Sequence, residues 1–361
     1  RGAERREKPP PVGAGGGLGG GGGGGGGRPA ESERGRSYPD RETYAGTNAR
    51  NVVRPIARNV VRTGAPTDGR PGPMTGSTVP GRTMGLIAGA LLVAVLLLMA
   101  AIWWGQERLI FFPEPLRPDH RFVMPPDVHE VFVEVPGARL NALHLQVPAP
   151  RAVVLYLHGN GGNLQGWFVN PDFYRALQVD LFMIDYRGYG KSGGRISSQA
   201  ELMADVRAAW SSIAERYAGR PVVFVGRSLG SGLAAELAAG LPPDERPDLL
   251  VMVSPYRSLR ALARQFYPWI PPQLLRYPLD TERLLPELAA GGRPRVLLLH
   301  GARDELIPAA HSEALARGLP DAALRLIAGA GHNDLQQFPD YLDALREAIR
   351  RLTERAPAGG G

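Results

Sequence analysis

Residues 222–232 read VVFVGRSLGSG, and the helix-forming LAAELAA of 233–239 follows directly. Four apolar residues in a row suit a strand covered on both faces. Gly226-Arg227-Ser228-Leu229-Gly230 then forms a G-x-S-x-G turn between strand and helix, the setting of a nucleophile elbow. A glycine at each end of the pentapeptide lets the chain turn sharply with no Cβ to clash, so the Ser228 hydroxyl is expected to stand exposed. The helix N-terminus behind it supplies free N–H groups and positive potential. Ser228 is the expected nucleophile.

Similar short apolar runs occur at 152–157 (AVVLYL), 181–184 (LFMI), 249–253 (LLVMV) and 296–299 (VLLL). Upstream, Val131, Val133 and Val135 alternate with Glu130 and Glu134, and Leu143, Leu145 and Val147 with His144 and Gln146. With Pro136-Gly137 between them, these two segments predict an antiparallel hairpin. Helical patterns fill the intervals: Ser198 and Glu201 spell a capping box before Leu202, Val206, Ala209 and Ile213, and Leu342, Leu345, Ile349 and Leu352 mark a last amphipathic helix. A hairpin followed by alternating strands and helices predicts an α/β sheet of mostly parallel strands, whose ligands bind at the carboxyl ends of the strands.

A serine nucleophile needs a base held by a third group. Of the seven histidines, His120 and His129 precede the parallel strands and His144 lies in the hairpin. His158 and His300 each end a strand before a glycine, which suits loop support, and His311 is expected on a helix surface. His332, in Gly329-Ala330-Gly331-His332-Asn333-Asp334, follows the strand-like 324–327 and comes last, as the chain order Ser…Asp/Glu…His requires. Asp304, at the carboxyl end of the 296–299 strand, is the expected acid, orienting His332 and stabilising its imidazolium; Glu305 is the neighbouring rival. Two backbone N–H groups should form an oxyanion hole: that of Leu229, after the nucleophile, and one from 158–163, with Asn160 preferred and Gly161 possible. The glycines of that loop match neither phosphate-binding spacing. No His/carboxylate cluster has metal-ligand spacing, so neither cofactor nor metal is expected.

QERLIFFPEP (106–115), LHGNGGN (157–163), IDYRGYGKSGG (184–194), GRSLGSG (226–232), SPYRSL (254–259), HGARDELIP (300–308) and GAGHND (329–334) together resemble the α/β-hydrolase superfamily, and within it the single-pass, membrane-anchored α/β-hydrolase-domain serine hydrolases. The resemblance spans about 230 residues. It implies the α/β-hydrolase fold, an eight-stranded, mostly parallel sheet flanked by helices, with Ser228, His332 and Asp304 as nucleophile, base and acid. It also makes Asp185-Tyr186-Arg187-Gly188 a structural turn. Ala302 departs from the acidic residue that relatives often carry there.

The chain has 361 residues, 47 of them Gly, 34 Pro and none Cys. Without cysteine there is no disulfide scaffold, thiolate zinc site or cysteine nucleophile. Residues 1–83 hold 14 Lys+Arg against 7 Asp+Glu, so the whole net charge of +7 lies there and residues 84–361 balance. This argues against a nucleic-acid-binding domain. The Gly-, Pro- and Arg-rich tail, residues 1–83, is expected to be disordered. Because residue 1 is Arg, Met74 or Met84 is the expected native start. Residues 84–104 (MGLIAGALLVAVLLLMAAIWW) carry no charge and are long enough to cross a bilayer; with no cleavage site following, they read as an uncleaved signal anchor. Arg50, Arg54, Arg58 and Arg62 favour a cytoplasmic N-terminus and an extracytoplasmic domain at 105–356. Between Pro255 and Pro294, Phe266, Tyr267, Trp269 and Tyr277 either line an acyl pocket under a short cap or pack in the core.

The expectation is a membrane-anchored hydrolase of lipophilic acyl esters, its partners an ester substrate and the lipid bilayer, without nucleic acid. A thioesterase, deacylase or peptidase on the same fold is the alternative, and a silent interaction module a third.

Overall fold

The computed structural model describes residues 81–319 and 321–355. The predicted disorder of 1–83 falls outside these residues except at its end, where helix α1 (Gly81–Ile110) begins before the predicted span and runs six residues past Trp104. No residue of its 18-residue apolar window (mean hydropathy 2.8) is buried.

In chain order there follow β1 (Phe112–Pro113), β2 (Val128–Val135), β3 (Ala138–Leu145), β4 (Ala152–Leu157), β5 (Gly161–Gly162), α2 (Leu164–Trp167), α3 (Pro171–Ala176), β6 (Val179–Ile184), α4 (Gln199–Ala214), β7 (Val222–Arg227) and α5 (Leu229–Gly240). β8 (Leu249–Val253), α6 (Leu259–Phe266), α7 (Thr281–Ala290), β9 (Arg295–Gly301), α8 (Ala310–Arg317), β10 (Ala323–Ile327) and α9 (Pro339–Arg355) complete the chain. The predicted hairpin is β2–β3, closed at Val135↔Ala138, with Gly137 at φ 74° supplying the turn.

Eight strands of the described residues form one sheet in the order β10-β9-β8-β7-β4-β6-β3-β2. β3 runs antiparallel to both neighbours, and the remaining pairs are parallel. All six side chains of β4 are buried because helices cover both faces. Val153, Leu155 and Leu157 join the cluster beneath α4, α5 and α7, whereas Ala152, Val154 and Tyr156 join the one beneath α3 and α9. From β4 the chain moves to β6 on one side and then to β7 on the other. That reversal places the switch point of the sheet, where open α/β folds bind ligands, between β4 and β7.

Helix α4 modifies its predicted cap. The Ser198 hydroxyl accepts the Glu201 N–H at 3.1 Å, as expected, but the Glu201 carboxylate reaches back to the N–H of Ser197, at 3.1 Å, instead of Ser198. The turn at 185–188 is structural: Asp185 Oδ1 accepts the Leu164 N–H at 3.0 Å, and Arg187 donates to Asp205 at 2.9 Å and to the Pro136 carbonyl at 2.8 Å. Asp205 is buried and has no other partner among the described residues. Arg187→Ala should therefore cost about 3–5 kcal/mol, because it leaves a buried carboxylate uncompensated. Adding Asp205→Ala should restore part of that loss, as read from thermal unfolding midpoints.

Candidate active site

The carboxyl end of β7 carries Ser228 at φ 51°, ψ −118°, a left-handed backbone that a non-glycine residue holds only when its surroundings force it. Two close approaches supply that force. A Cβ on Gly226 would lie 2.2 Å from the Gly230 carbonyl oxygen, and one on Gly230 would lie 2.0 Å from the Leu157 oxygen. With only hydrogens at these positions, α5 packs hard against the end of β4. Ser228 is also pinned by its own N–H, which donates to Val253 O at 2.8 Å.

Opposite, the loop after β10 carries His332. Its Nε2 lies 3.0 Å from Ser228 Oγ, and its Nδ1 lies 2.8 Å from Asp304 Oδ2. A carboxylate can only accept, so Nδ1 carries the proton and the Nε2 lone pair faces the hydroxyl. Asp304 follows β9, and its Oδ1 accepts the N–H groups of Leu306 at 3.0 Å and Ile307 at 2.7 Å. Burial opposes ionisation of this carboxyl, but hydrogen bonds from His300, His332 and Ile307 outweigh it and hold the group well below the usual carboxylate range. The three predicted residues thus come together from three loops at the switch-point edge of the sheet. Glu305, the rival acid, is exposed.

His300 supports the loop, as expected, and does so through the acid. Its Nε2 donates to Ile307 O at 2.7 Å and lies 3.3 Å from Asp304 Oδ2, while Nδ1 accepts from the Ser312 hydroxyl at 2.6 Å. His158 donates from Nδ1 to Gly159 O at 2.7 Å. The surface role expected of His311 is wrong. His311 is buried, its Nδ1 accepting the Arg257 N–H and its Nε2 facing Gln265 Oε1, each at 3.2 Å; burial pushes its pKa down. It lies on α8, which the loop from Asp304 folds against the segment after β8, a placement the helical pattern did not carry.

The loop at 158–163 crosses the same edge. Among the described residues no hydrogen bond takes the N–H of Asn160 or that of Leu229, the first residue of α5. The Asn160 side chain is fully engaged: Nδ2 donates to Ile110 O, and Oδ1 accepts the Tyr189 hydroxyl at 3.1 Å. Gly161 and Gly162, as β5, pair with Phe112 and Pro113 of β1. The segment leaving α1 therefore holds this loop.

Arg227, which no sequence motif singles out, also supports the site. Its guanidinium donates to the His332 carbonyl and to Gln336 Oε1, each at 2.8 Å, and stacks 5.2 Å from the Trp167 ring. A charge ending an otherwise apolar strand demands a partner, which was the available signal. Of Phe266, Tyr267, Trp269 and Tyr277, only Tyr277 packs in the core; the other three are exposed. Among the described residues no group of three or more His, Asp or Glu side chains could hold a metal ion.

Fold and site together define an α/β hydrolase, and the chain belongs to the α/β-hydrolase superfamily. The family model described as serine aminopeptidase, S33, matches residues 148–279. The uncharacterized protein MT2364 of Mycobacterium tuberculosis is 34% identical over 282 residues, 74% of this chain and 96% of that one. The α/β-hydrolase domain-containing protein 17C of Xenopus tropicalis is 29% identical over 208 residues, 56% of this chain and 63% of its own. Among solved structures, an esterase of Pyrococcus furiosus superposes with a TM-score of 0.53 at 17% identity, over 68% of this chain and 98% of the esterase, a likeness of fold.

Asp304 gives this site a pH signature. Its native carboxyl is ionised more readily than an unfolded aspartate, which titrates near about 3.9. The resulting stability is present above that range and is lost as pH falls through the lower native value. The stability advantage of wild type over Asp304→Asn should hold from neutral pH down to about 5 and shrink below about 4, as measured by thermal midpoints.

Proposed function

We propose that this hydrolase is a membrane-anchored serine esterase that cleaves lipophilic carboxylic esters through a Ser228–His332–Asp304 triad and an acyl-enzyme. The observation that carries the reading is the continuous relay from the Ser228 hydroxyl through His332 to Asp304, at 3.0 and 2.8 Å.

Ser228 Oγ attacks the ester carbonyl carbon as its proton passes to His332 Nε2. The carbonyl π pair moves to oxygen, and that oxyanion rests on the N–H groups of Leu229 and Asn160. Such donors are worth about 3–4 kcal/mol each, because they are already aimed where charge develops. The tetrahedral intermediate collapses, the alkoxy bond breaks, and His332 returns its proton to the leaving alcohol. Water then attacks the acyl-enzyme, His332 takes the water proton, and collapse frees the acid while the proton returns to Ser228. Throughout, Asp304 keeps the imidazole in the productive tautomer and balances its transient charge. Arg227 holds the His332 backbone.

Helix α1 supports the anchored part of the reading. At 1.5 Å per residue its charge-free 84–104 stretch covers the roughly 30 Å of a hydrocarbon core, and no residue of its apolar window is buried against the protein. The basic tail supports an extracytoplasmic catalytic domain. Tethering at a bilayer favours lipophilic substrates over soluble metabolites. The serine aminopeptidase description of the matching family keeps an amide-cleaving second reading, and turnover of p-nitrophenyl acyl esters against peptide anilides separates the two.

Ser228→Ala should remain folded, lose fluorophosphonate labelling and lose roughly 10⁶-fold in turnover. Labelling or normal esterase rates persisting in that variant would refute the assignment.

A further inference from the structure

The stretch Arg264-Gln265-Phe266-Tyr267-Pro268-Trp269 is exposed at every residue. It sits at the end of α6, whose Leu259 and Leu262 turn inward onto the core while Arg260 and Arg264 face out. Phe266, Tyr267 and Trp269 are 41%, 53% and 61% exposed, and the last two rings meet edge to face at 6.5 Å. A contiguous exposed aromatic cluster of this kind marks an interaction surface. Residues 255–279 hold four arginines and no acidic residue. Arg257 pairs with Glu282 and Arg276 with Glu107, whereas Arg260 and Arg264 have no acidic partner among the described residues.

The same segment is clamped to the end of α1. The buried Gln106 donates from Nε2 to Leu274 O at 3.2 Å and accepts the Arg276 N–H at 2.8 Å. Tyr277 donates to Glu107 at 2.8 Å and packs edge to face on Phe111, with ring centres 5.1 Å apart. The Arg276 guanidinium lies 5.8 Å from the Trp103 ring. Gln106 is only two residues beyond Trp104, a rise of about 3 Å along the helix. Leu274, bonded to Gln106, is five residues from Trp269. The aromatic run is thus held close to the level of Trp103 and Trp104, at the end of the apolar stretch where indole rings settle among lipid headgroups.

We infer that Arg260, Arg264, Phe266, Tyr267 and Trp269 form a docking face for the surface of the bilayer that α1 enters, the aromatic rings sinking into the interface and the two arginines meeting anionic phospholipid headgroups. The inference rests on α1 being a membrane span, but not on the identity of the substrate. It gives the domain a second attachment, which stops it from swinging on its tether. Gln265, within this run, contacts His311 on the helix that follows the Asp304 loop.

The test places the full chain in nanodiscs of phosphatidylcholine and phosphatidylglycerol, with and without brominated acyl chains, and isolates single-indole emission by difference against Trp269→Phe and Trp104→Phe. Quenching of both indoles by bromine is expected, with that of Trp269 weaker when phosphatidylglycerol is omitted. Trp104 quenched and Trp269 unquenched would overturn the docking face while leaving the span standing. Neither quenched would overturn the span as well. Trp269 emission that is blue-shifted but unquenched would mean that a second protein surface covers the face, which also overturns it. Equal quenching of Trp269 with and without phosphatidylglycerol would overturn the role given to the two arginines.

Discussion

The rest of the site depends on the contact between the N-terminal turn of α5 and the end of β4. Gly230 approaches Leu157 O, and Gly226 approaches Gly230 O, so closely that no side-chain carbon fits at either position. Moving α5 outward by even a carbon–carbon bond length would separate Ser228 from the loop at 158–163, and the N–H of Leu229 from that of Asn160. The positive φ of Ser228 is the local cost of that approach. It is sustained by the buried strands on either side, since β4 and β8 both hydrogen-bond to β7.

Around this contact the polar groups divide into two supports. On one side, Asp304 accepts two backbone N–H groups and faces two imidazoles, a set of partners that keeps it ionised despite burial. His300, itself held by Ile307 and Ser312, tightens the turn that presents the carboxylate. On the other side, Arg227 reaches across from the elbow to the backbone of His332. The histidine is thereby oriented from both its ring and its main chain.

The loop at 158–163 has a different kind of support. Its glycines pair with Phe112 and Pro113, and the Asn160 side chain is tied to Ile110, all within three residues of the end of α1. The QERLIFFPEP stretch that follows the apolar span thus has a physical task besides linking two parts of the chain. It clamps the segment at 274–277 with Gln106 and Glu107, and completes the loop at 158–163 with the residues that follow.

What could be read from the sequence by itself rested on local physics. Period-two alternation marked β2–β3, unbroken apolar runs marked the parallel strands, and glycines flanking Ser228 marked a turn with no room for Cβ. The placement of Ser228 and Asp304 at strand ends followed from the same runs, because strand ends in a parallel sheet share one edge, and the chain order of Ser228, Asp304 and His332 from the motif around Ser228. Only the tertiary structure decided which groups meet across long separations: Arg227 with His332, His311 with Gln265, Asn160 with Ile110. It also buried His311 and left Phe266, Tyr267 and Trp269 exposed. Residue type states that a charge needs a partner or that a ring prefers to be covered. The partner itself is set by how distant segments pack, which no local window of the chain contains.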